Sequence, residues 1–323
     1  MSLLTCNSLS VGHSKNKPIL NNLNLNVGAE QLICLVGQNG SGKTTLLKSL
    51  CGIIPILSGD VLYNGKNLSS LSAKELASKQ SIVLSDKLSS NLTVFDILKL
   101  GRYAHTDIFG RLSSKDCQKI DEVIQILNIT NYKNSLFSKL SDGQKQKVML
   151  GRALVQNSEI LFLDEPTNFL DLPNRLDLIS KLKLISKLNK RTIIFSSHDW
   201  QIALELANVI WVIKDNGTIQ VTTPEDFIVT KEIDSYFYHP DYTFDSNQGK
   251  FISNVKTLRQ VKIIGPKDKA YWVDHALLKY NFPEIRGLTI YIHDDYYEAD
   301  YQNNKIKYKS IYKLLTSLRD ILL

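Results

Sequence analysis

Short apolar runs alternate with longer segments of helical period over about the first 222 residues. The apolar runs are rich in Ile, Val and Leu, and several are apolar on both faces: QLICLVG (31–37), SIVLS (81–85), EILFLDEP (159–166), RTIIFSSHD (191–199) and VIWVIKDNGTIQ (209–220). Strands of this kind lie in a sheet that helices cover, so the pattern predicts an α/β domain. The intervening periodicity predicts helices over 42–53, 114–129 and 173–190.

The composition changes after Thr230, where aromatic residues become dense. We predict a first domain over 1–230, a connector with an edge strand over 231–250, and a small α+β domain over 251–323. In that last domain the pattern predicts a strand at VKIIG, a helix around YWVDHALLKY, a hairpin turning at QNN and a final helix SIYKLLTSLRDIL. This is a βαββα arrangement with a modest core of its own.

Composition and charge narrow the class of protein only slightly. Hydrophobic residues make up 43% of the chain and charged residues 22%, as in ordinary soluble globular proteins. The apolar runs are too short to cross a bilayer, and the N-terminus does not have the pattern of a signal peptide. The net charge of +7 is spread along the chain and does not select a partner. The cysteines have no paired spacing, which favours reduced thiols: Cys6, Cys34, Cys51 and Cys117.

The segment GQNGSGKT (37–44) matches the phosphate-binding pattern Gly-x-x-x-x-Gly-Lys-Thr, directly after a predicted strand and at the start of a predicted helix. Glycines at 40 and 42 allow the backbone to wrap around phosphate, and helix-start N–H groups from Asn39 to Thr45 point at the anion. We expect Lys43 to neutralise phosphate charge and Thr44 to ligate Mg²⁺. The segment predicts a nucleoside triphosphate site that includes Asn39, Gly40, Ser41, Gly42, Lys43, Thr44 and Thr45.

The segment EILFLDEPT supplies two carboxylates at the end of an apolar strand. Asp164 is expected to hold Mg²⁺ beside the phosphate loop. Glu165 follows and is expected to orient and polarise the attacking water as the general base. Alone the pair is a weak signal, but the phosphate loop upstream makes it a strong one.

The motifs GQNGSGKTT, LSDGQ, ILFLDEPT, NFLD and FSSHD, in this order, resemble the ATPase subunit of an ABC transporter. The resemblance covers about the first 230 residues and implies a RecA-like core, a helical subdomain and an N-terminal antiparallel β subdomain. The segment NLTVFDILKLGRYAHTDIFGRLSSKD further resembles the helical subdomain of subunits that serve iron-siderophore, haem and cobalamin importers.

The resemblance assigns roles to further residues. It implies a head-to-tail homodimer in which Ser141, Gly143 and Gln144 of one copy bind the γ-phosphate of an ATP molecule held by the other. Asp171 matches the aspartate of the loop that links the two sites, and His198 matches the histidine that contacts the γ-phosphate and water. By the helix-capping rules alone, Ser141 would only begin a helix.

Three residues depart from the family pattern. Asp142 stands where the signature usually has another residue, and we expect it to face solvent or the helix N-terminus. Ser85 occupies the position of a Mg²⁺-contacting Gln. His13 replaces the aromatic residue that stacks on adenine, and an imidazole stacks more weakly. These departures affect the expected rate of hydrolysis rather than nucleotide binding.

The favoured function is an ATPase subunit, with ATP and Mg²⁺, that powers an importer of an iron chelate, haem or cobalamin. It would bind integral membrane permease subunits at the cytoplasmic face of the cell membrane, through a groove formed by 85–91 and the helices of LTVFDILKLGRY. The chain itself would bind neither the transported substrate nor nucleic acid. The alternative is a non-transport ABC ATPase acting on nucleic acid or ribosomes.

Two alternatives stay open for the C-terminal extension: a regulatory module, or an appendage for dimerisation and stability. Its acidic cluster consists of His293, Asp294, Asp295, Glu298 and Asp300, which can be interpreted as a metal site or as a solvated hairpin. The hairpin is the favoured interpretation, so no site is assigned there.

Overall fold

The structure is a computed structural model that describes residues 2–14, 17–85, 89–106, 111–168, 170–189, 191–254, 261–279 and 287–322. The chain forms two compact units: Met1–Tyr238 with Phe244–Phe251, and His239–Thr243 with Ile252–Leu323. We call them the first unit and the C-terminal unit. Among the described residues, no helix is both long and apolar enough to cross a membrane.

The strands, numbered in chain order, are β1 (Leu4–Val11), β2 (Leu20–Val27), β3 (Leu32–Val36), β4 (Ser58–Tyr63), β5 (Lys66–Asn67), β6 (Gln80–Val83), β7 (Ile160–Leu163), β8 (Thr192–Ser197), β9 (Val209–Ile213), β10 (Ile219–Thr222), β11 (Tyr242–Asp245), β12 (Lys250–Ser253), β13 (Lys262–Ile264), β14 (Leu288–Ile292), β15 (Tyr297–Tyr301) and β16 (Asn304–Tyr308).

The α-helices are α1 (Lys43–Leu50), α2 (Ala73–Lys79), α3 (Val94–Leu100), α4 (Ser114–Leu127), α5 (Asp142–Val155), α6 (Leu172–Asn189), α7 (Trp200–Leu206), α8 (Pro224–Val229), α9 (Glu232–Tyr236), α10 (Lys267–Lys279) and α11 (Ile311–Leu322).

The centre of the first unit is a six-stranded sheet in the order β10-β9-β3-β8-β7-β6. Strands β9, β3, β8, β7 and β6 are parallel, and β10 pairs antiparallel with β9. Every residue of β3, β7 and β8 is buried, as their apolar composition predicts for strands covered on both faces. The predicted α/β fold is confirmed, and the run 209–220 divides into the hairpin β9–β10.

A second sheet covers one face of the central sheet. It is antiparallel, in the order β2-β1-β4-β5. Its buried residues join the inner residues of the central sheet and of α1 in one core, which includes Leu4, Leu23, Leu35, Leu46 and Phe162. This arrangement anchors α1, and with it the start of the phosphate loop helix.

Helices α3, α4 and α5 form a helical layer that belongs to the other core of the first unit. Helices α4 and α5 each begin with a capping box, in which a Ser hydroxyl accepts from a helix N–H and the third helical side chain accepts from the Ser N–H. An ion pair joins Arg102, just after α3, to Asp116 in α4 at 2.7 Å, and Arg102 also donates to the Val155 carbonyl at the end of α5. The three helices are thereby tied together at one end.

An aromatic cluster packs together residues near the C-terminal end of the first unit. Trp200 packs against Phe227, Phe237 and Phe244, with ring centroids 5.5–6.4 Å apart, and Phe251 packs against Phe237 and Phe244. Phe244 and Phe251 lie on the two strands of the small sheet formed by β11 and β12. The cluster lies beside the strand end that carries His198.

The C-terminal unit contains a four-stranded sheet in the order β13-β14-β15-β16, with β13 and β14 parallel and the others antiparallel. Helices α10 and α11 pack against it, and its core includes Val273, Leu277, Ile290, Leu314 and Leu318. The predicted turn at 302–304 is present, since Gln302 and Asn303 both have positive φ, of 52° and 65°, as two-residue hairpin turns require.

The prediction of a single hairpin over 289–308 is wrong. The segment forms three strands, because a further turn closes at 293–296, where the His293 N–H donates to the Tyr296 carbonyl at 3.0 Å. The two rings stack at 4.3 Å, which stabilises a turn that contains no Gly or Pro. The cluster around Asp294 is therefore divided between this turn and β15. Within the described chain, no group of His, Cys, Asp and Glu could hold a metal ion.

Candidate active site

The phosphate loop, the pair Asp164 and Glu165, and His198 lie at the ends of three strands that are neighbours in the central sheet. Strand β3 leads into the phosphate loop, β7 ends before Asp164, and β8 ends before His198. Because β3, β8 and β7 are adjacent and parallel, their carboxyl ends meet at one edge of the sheet. The topology thus gathers side chains that are separated by about 30 to 155 residues in sequence.

The phosphate loop ends in a helix start that is open to a ligand. Gly42 is the N-cap of α1 with φ of 101°, and no side chain caps the helix. A Cβ atom at Gly42 would lie 2.7 Å from the Ile19 side chain, so only glycine fits there. The N–H groups of the first turn are therefore free of side-chain acceptors, and with the helix dipole they form a site for an anion.

Lys43 is buried, and its ammonium group is held by the loop itself. Nζ donates to the Gly37 carbonyl at 2.9 Å and to the Gln38 carbonyl at 3.1 Å. It also lies 3.6 Å from Glu165 Oε1. This places a positive charge between the phosphate loop and the end of β7, where a triphosphate would need it.

Asp164 is 1% exposed and accepts hydrogen bonds from hydroxyl groups on three different segments. The Thr44 hydroxyl lies 3.0 and 2.9 Å from the two carboxylate oxygens, Ser85 donates to Oδ2 at 2.9 Å, and Ser196 donates to Oδ1 at 2.8 Å. The structure therefore brings Thr44, Ser85 and Asp164 together, as a shared metal site requires. All their ligand atoms are oxygens.

Glu165 is held by the two groups beside it. Its Oε2 atom is 3.0 Å from His198 Nδ1 and accepts from the Asn168 amide. Its backbone has φ of 47°, in the left-handed region, which costs about 1 kcal/mol for a residue with a side chain. The carboxylates of Asp164 and Glu165 have separate partners. Strain of this kind is typical of functional sites.

The start of α5 is a second candidate binding surface. The Ser141 hydroxyl accepts from the Gln144 N–H at 3.3 Å, and the Ser141 N–H donates to Gln144 Oε1 at 3.0 Å. Asp142, the first residue of the helix, is 58% exposed and lies 3.8 Å from Lys145, in agreement with the expectation that it faces solvent. Among the described residues, the N–H groups of Asp142 and Gly143 have no acceptor, so they are open to an anion.

Asp171 and His13 lie outside the group around Lys43. Asp171 is exposed and accepts from the N–H and the side-chain amide of Asn174, while the Asn174 amide lies next to Gly143. The start of α5 and the Asp171 loop are thus neighbours. His13 is exposed after β1 and has no hydrogen bond or ring contact within the described structure. Its stacking role stays a prediction.

Sequence reasoning missed two residues of the site, Ser196 and Asn168. Ser196 bonds both Asp164 and the Glu165 N–H, and Asn168 bonds the Glu165 carboxylate. The signal available was the polar pair SS at the end of an otherwise apolar buried strand, since a buried hydroxyl needs a partner. No comparable signal marks Asn168, which depends on the shape of the turn after β7.

The fold and the motifs agree with comparisons to known proteins. A family model described as ABC transporter matches residues 20–168. An uncharacterised ABC transporter ATP-binding protein of Methanocaldococcus jannaschii is 34% identical over 237 residues, covering 73% of this chain and 81% of the relative. The iron(3+)-hydroxamate import ATP-binding protein of Bacillus subtilis is 31% identical over 242 residues, covering 73% and 90%.

Solved structures give the same result for the fold. The cbiO1 protein of Clostridium perfringens, part of the ABC transporter complex cbiONQ, has a TM-score of 0.63 at 25% identity and covers 72% of this chain and 93% of that one. A nucleotide-free ATP-binding cassette of an ABC transporter has a TM-score of 0.63 at 20% identity, covering 74% and 96%. The chain therefore belongs to the ATP-binding proteins of ABC transporters. It is an ATPase of that family, with a C-terminal extension.

Proposed function

We propose that this chain is the ATP-hydrolysing subunit of a membrane importer and acts as a head-to-tail homodimer. The observation that carries the proposal is the arrangement around Lys43, where an open helix start, a buried ammonium group and two carboxylates meet at the ends of β3, β7 and β8. The arrangement suits a triphosphate, because the N–H donors and the Lys43 ammonium group would face the phosphates. The Glu165 carboxylate would then be available to act on water.

In this proposal Glu165 is the general base. Its carboxylate is held between His198 Nδ1 and the Asn168 amide, which fix its direction without occupying all its lone pairs. Water between this carboxylate and the γ-phosphate would be oriented for in-line attack, and Glu165 would accept its proton. Lys43 would exchange its carbonyl partners for phosphate oxygens, and His198 would contact the γ-phosphate.

We propose Thr44, Ser85 and Asp164 as the residues that hold Mg²⁺. Their hydroxyl and carboxylate oxygens are the hard ligands that this cation prefers, and the three side chains already meet within 3.0 Å. When bound, Mg²⁺ would neutralise charge on the β- and γ-phosphates. The shorter side chain of Ser85, in place of Gln, still reaches Asp164 Oδ2.

The second half of each ATP site would come from the other copy of the chain. Ser141 uses a lone pair to accept from Gln144, so its hydroxyl proton remains available to a phosphate oxygen. The open N–H groups at the start of α5 would add further donors to the same anion. Asp171, next to this helix start, would bridge towards the partner's phosphate loop.

The permease would bind a groove in the first unit. A cavity of about 360 Å³ is lined by Cys51, Ile53, Leu76, Leu100, Gly101 and Arg152, among others. Leu100 and Gly101 belong to the segment predicted to receive the membrane partner, and Ile53 and Leu100 are half exposed there. Such exposed apolar side chains support a protein contact. The loop 85–91 is also predicted to form this groove, and its residues 86–88 lie outside the described residues.

For the cargo we propose an iron chelate, haem or cobalamin. The support is the names of relatives: besides the hydroxamate import protein, a petrobactin import ATP-binding protein of Bacillus anthracis is 28% identical over 220 residues. The cargo would pass through the permease without touching this chain, which would be peripheral at the cytoplasmic face. No observation favours an action on nucleic acid or ribosomes.

The decisive experiment is Glu165→Gln. Because the amide keeps the size of the carboxylate but cannot accept a proton, we expect kcat for ATP hydrolysis to fall by about 10²–10⁴-fold, with ATP affinity retained. Light scattering should show ATP-dependent dimers of this variant, and a second change, Ser141→Arg, should abolish them. Normal turnover by Glu165→Gln would refute the assignment of the base, and ATP-bound monomers would refute the shared site.

A further inference from the structure

The hydroxyl of Ser196 connects the two carboxylate residues of the site. Ser196 lies near the end of β8 and is 0% exposed. The neighbouring Ile194 and Phe195 are apolar and belong to the two cores of the first unit. A buried serine in such a strand is costly unless its hydroxyl is satisfied, and Ser196 has two partners, both on the segment that follows β7.

The direction of both hydrogen bonds is fixed by chemistry. The Glu165 N–H can only donate, so it uses a lone pair of Ser196 Oγ, at 2.8 Å. The Asp164 carboxylate can only accept, so it takes the single Ser196 proton at Oδ1, also at 2.8 Å. One hydroxyl therefore fixes the side chain of one residue and the main chain of the next.

The two bonds act at the point where the backbone leaves its usual conformation. Asp164 still follows the sheet, since its N–H donates to the Val83 carbonyl on β6 at 2.8 Å. Glu165 then has positive φ, and its N–H, turned out of the sheet ladder, reaches Ser196. Without that acceptor the partly buried N–H would lose its hydrogen bond, so the left-handed conformation would lose a stabilising contact.

We propose that Ser196 is a positioning residue of the ATPase site, which holds the Asp164 carboxylate for the cation and the Glu165 main chain for the base with a single hydroxyl group. The proposal rests on the proposed roles of Asp164 and Glu165. Thr44 and Ser85 also donate to Asp164, but they would turn their lone pairs to a bound cation, whereas Ser196 would continue to donate to Oδ1.

The test compares Ser196→Ala with Ser196→Thr and with a matched control. Ser49 in α1 is also 0% exposed, and its hydroxyl has no hydrogen-bond partner in the described structure, so Ser49→Ala removes a buried hydroxyl that holds nothing. For Ser196→Ala we expect kcat to fall about 10- to 100-fold with KM for ATP nearly unchanged. Ser196→Thr keeps the donor and should recover most of the activity, and Ser49→Ala should behave as wild type.

A binding measurement gives a readout that does not depend on turnover. Binding of a fluorescent ATP analogue in EDTA should be the same for wild type and Ser196→Ala, because Lys43 and the phosphate loop are untouched. In a Mg²⁺ titration, the concentration that half-saturates the gain in affinity should rise about tenfold or more in the variant.

Unchanged kcat and Mg²⁺ dependence in Ser196→Ala would overturn the inference. The inference would also be overturned if Ser196→Ala lost activity together with a fall in melting temperature and Ser196→Thr did not recover it. Such a result would indicate a packing defect. If wild type binds ATP but does not hydrolyse it, the proposed function fails instead, and the Mg²⁺ titration still decides the role of Ser196.

Discussion

Asp116 offers a quantitative test of how the helical layer is held together. Its carboxylate is nearly buried at the start of α4, where Oδ2 accepts from the hydroxyl and the N–H of Ser113 at 2.7 and 2.8 Å. Arg102 adds an ion pair at 2.7 Å. These hydrogen bonds from Ser113, followed by the charge and hydrogen bond of Arg102, lower the pKa of Asp116 from 3.8 to about 2.

The lowered pKa can be converted into stability. A fall from 3.8 to about 2 means that the native state favours the ionised carboxylate by about 2 kcal/mol over the unfolded chain. Because the folded pKa is depressed, this contribution is fully present above about pH 5 and is lost as the pH falls from about 4 to 2. Asp116→Asn should therefore lower the free energy of unfolding by about 2 kcal/mol at pH 7.

Urea unfolding followed by tryptophan fluorescence measures this difference, since the buried Trp200 and Trp211 report on the first unit. The control is Glu122→Gln on the same helix, where an exposed pair with Lys119 at 3.0 Å should contribute less than about 0.5 kcal/mol. The reasoning would be refuted if the two substitutions lowered the free energy of unfolding equally. It would also be refuted if the difference in that free energy between wild type and Asp116→Asn persisted unchanged down to about pH 2.

Two further predictions concern other parts of the chain. Ile290→Ala, at a fully buried position of β14, should destabilise the C-terminal unit by about 3 kcal/mol. Ile306→Ala on β16, where the side chain is 38% exposed, should destabilise it by less than about 1 kcal/mol. Limited proteolysis checks this, since the C-terminal unit should be cleaved faster only in Ile290→Ala. In the native protein one thiol, that of Cys117, should react rapidly with a disulfide reagent, because Cys34 and Cys51 are buried and burial raises the pKa of Cys6 to about 12. Rapid reaction of a second thiol, or of Cys117→Ser, would contradict this.

Much of the site follows from the sequence because its residues stand at strand ends. A phosphate loop after β3, a carboxylate pair after β7 and a histidine after β8 must approach one another once these strands are parallel neighbours. Lys43, Asp164 and Glu165 were therefore predictable as a group. The sequence predicts that Ser85 lies near the metal site. It does not predict that so short a side chain contacts Asp164.

The features that were missed depend on tertiary contacts rather than on pattern. The Ser196 hydroxyl accepts from the Glu165 N–H at a point where Glu165 has a left-handed backbone, and the residue type Glu does not predict that conformation. The turn at 293–296 contains no Gly or Pro, and it is closed by a stacked His–Tyr pair that exists only once the strands have paired. The alternating polarity of residues 289–301 is compatible with one long strand of a hairpin and equally with the two shorter strands that the structure contains.

The path of the chain between the two units limits how the extension can be removed. The polypeptide passes from one unit to the other after Tyr238, returns at Phe244 and leaves again after Phe251. A stop codon placed at the first of these crossings would delete Phe244, which packs against Trp200, and Phe251, which packs against Phe237 and Phe244. Trp200 itself lies two residues after His198 in the sequence. Loss of activity in such a truncation would report a damaged ATPase unit and would be mistaken for lost regulation. A clean truncation has to retain the chain through Phe251.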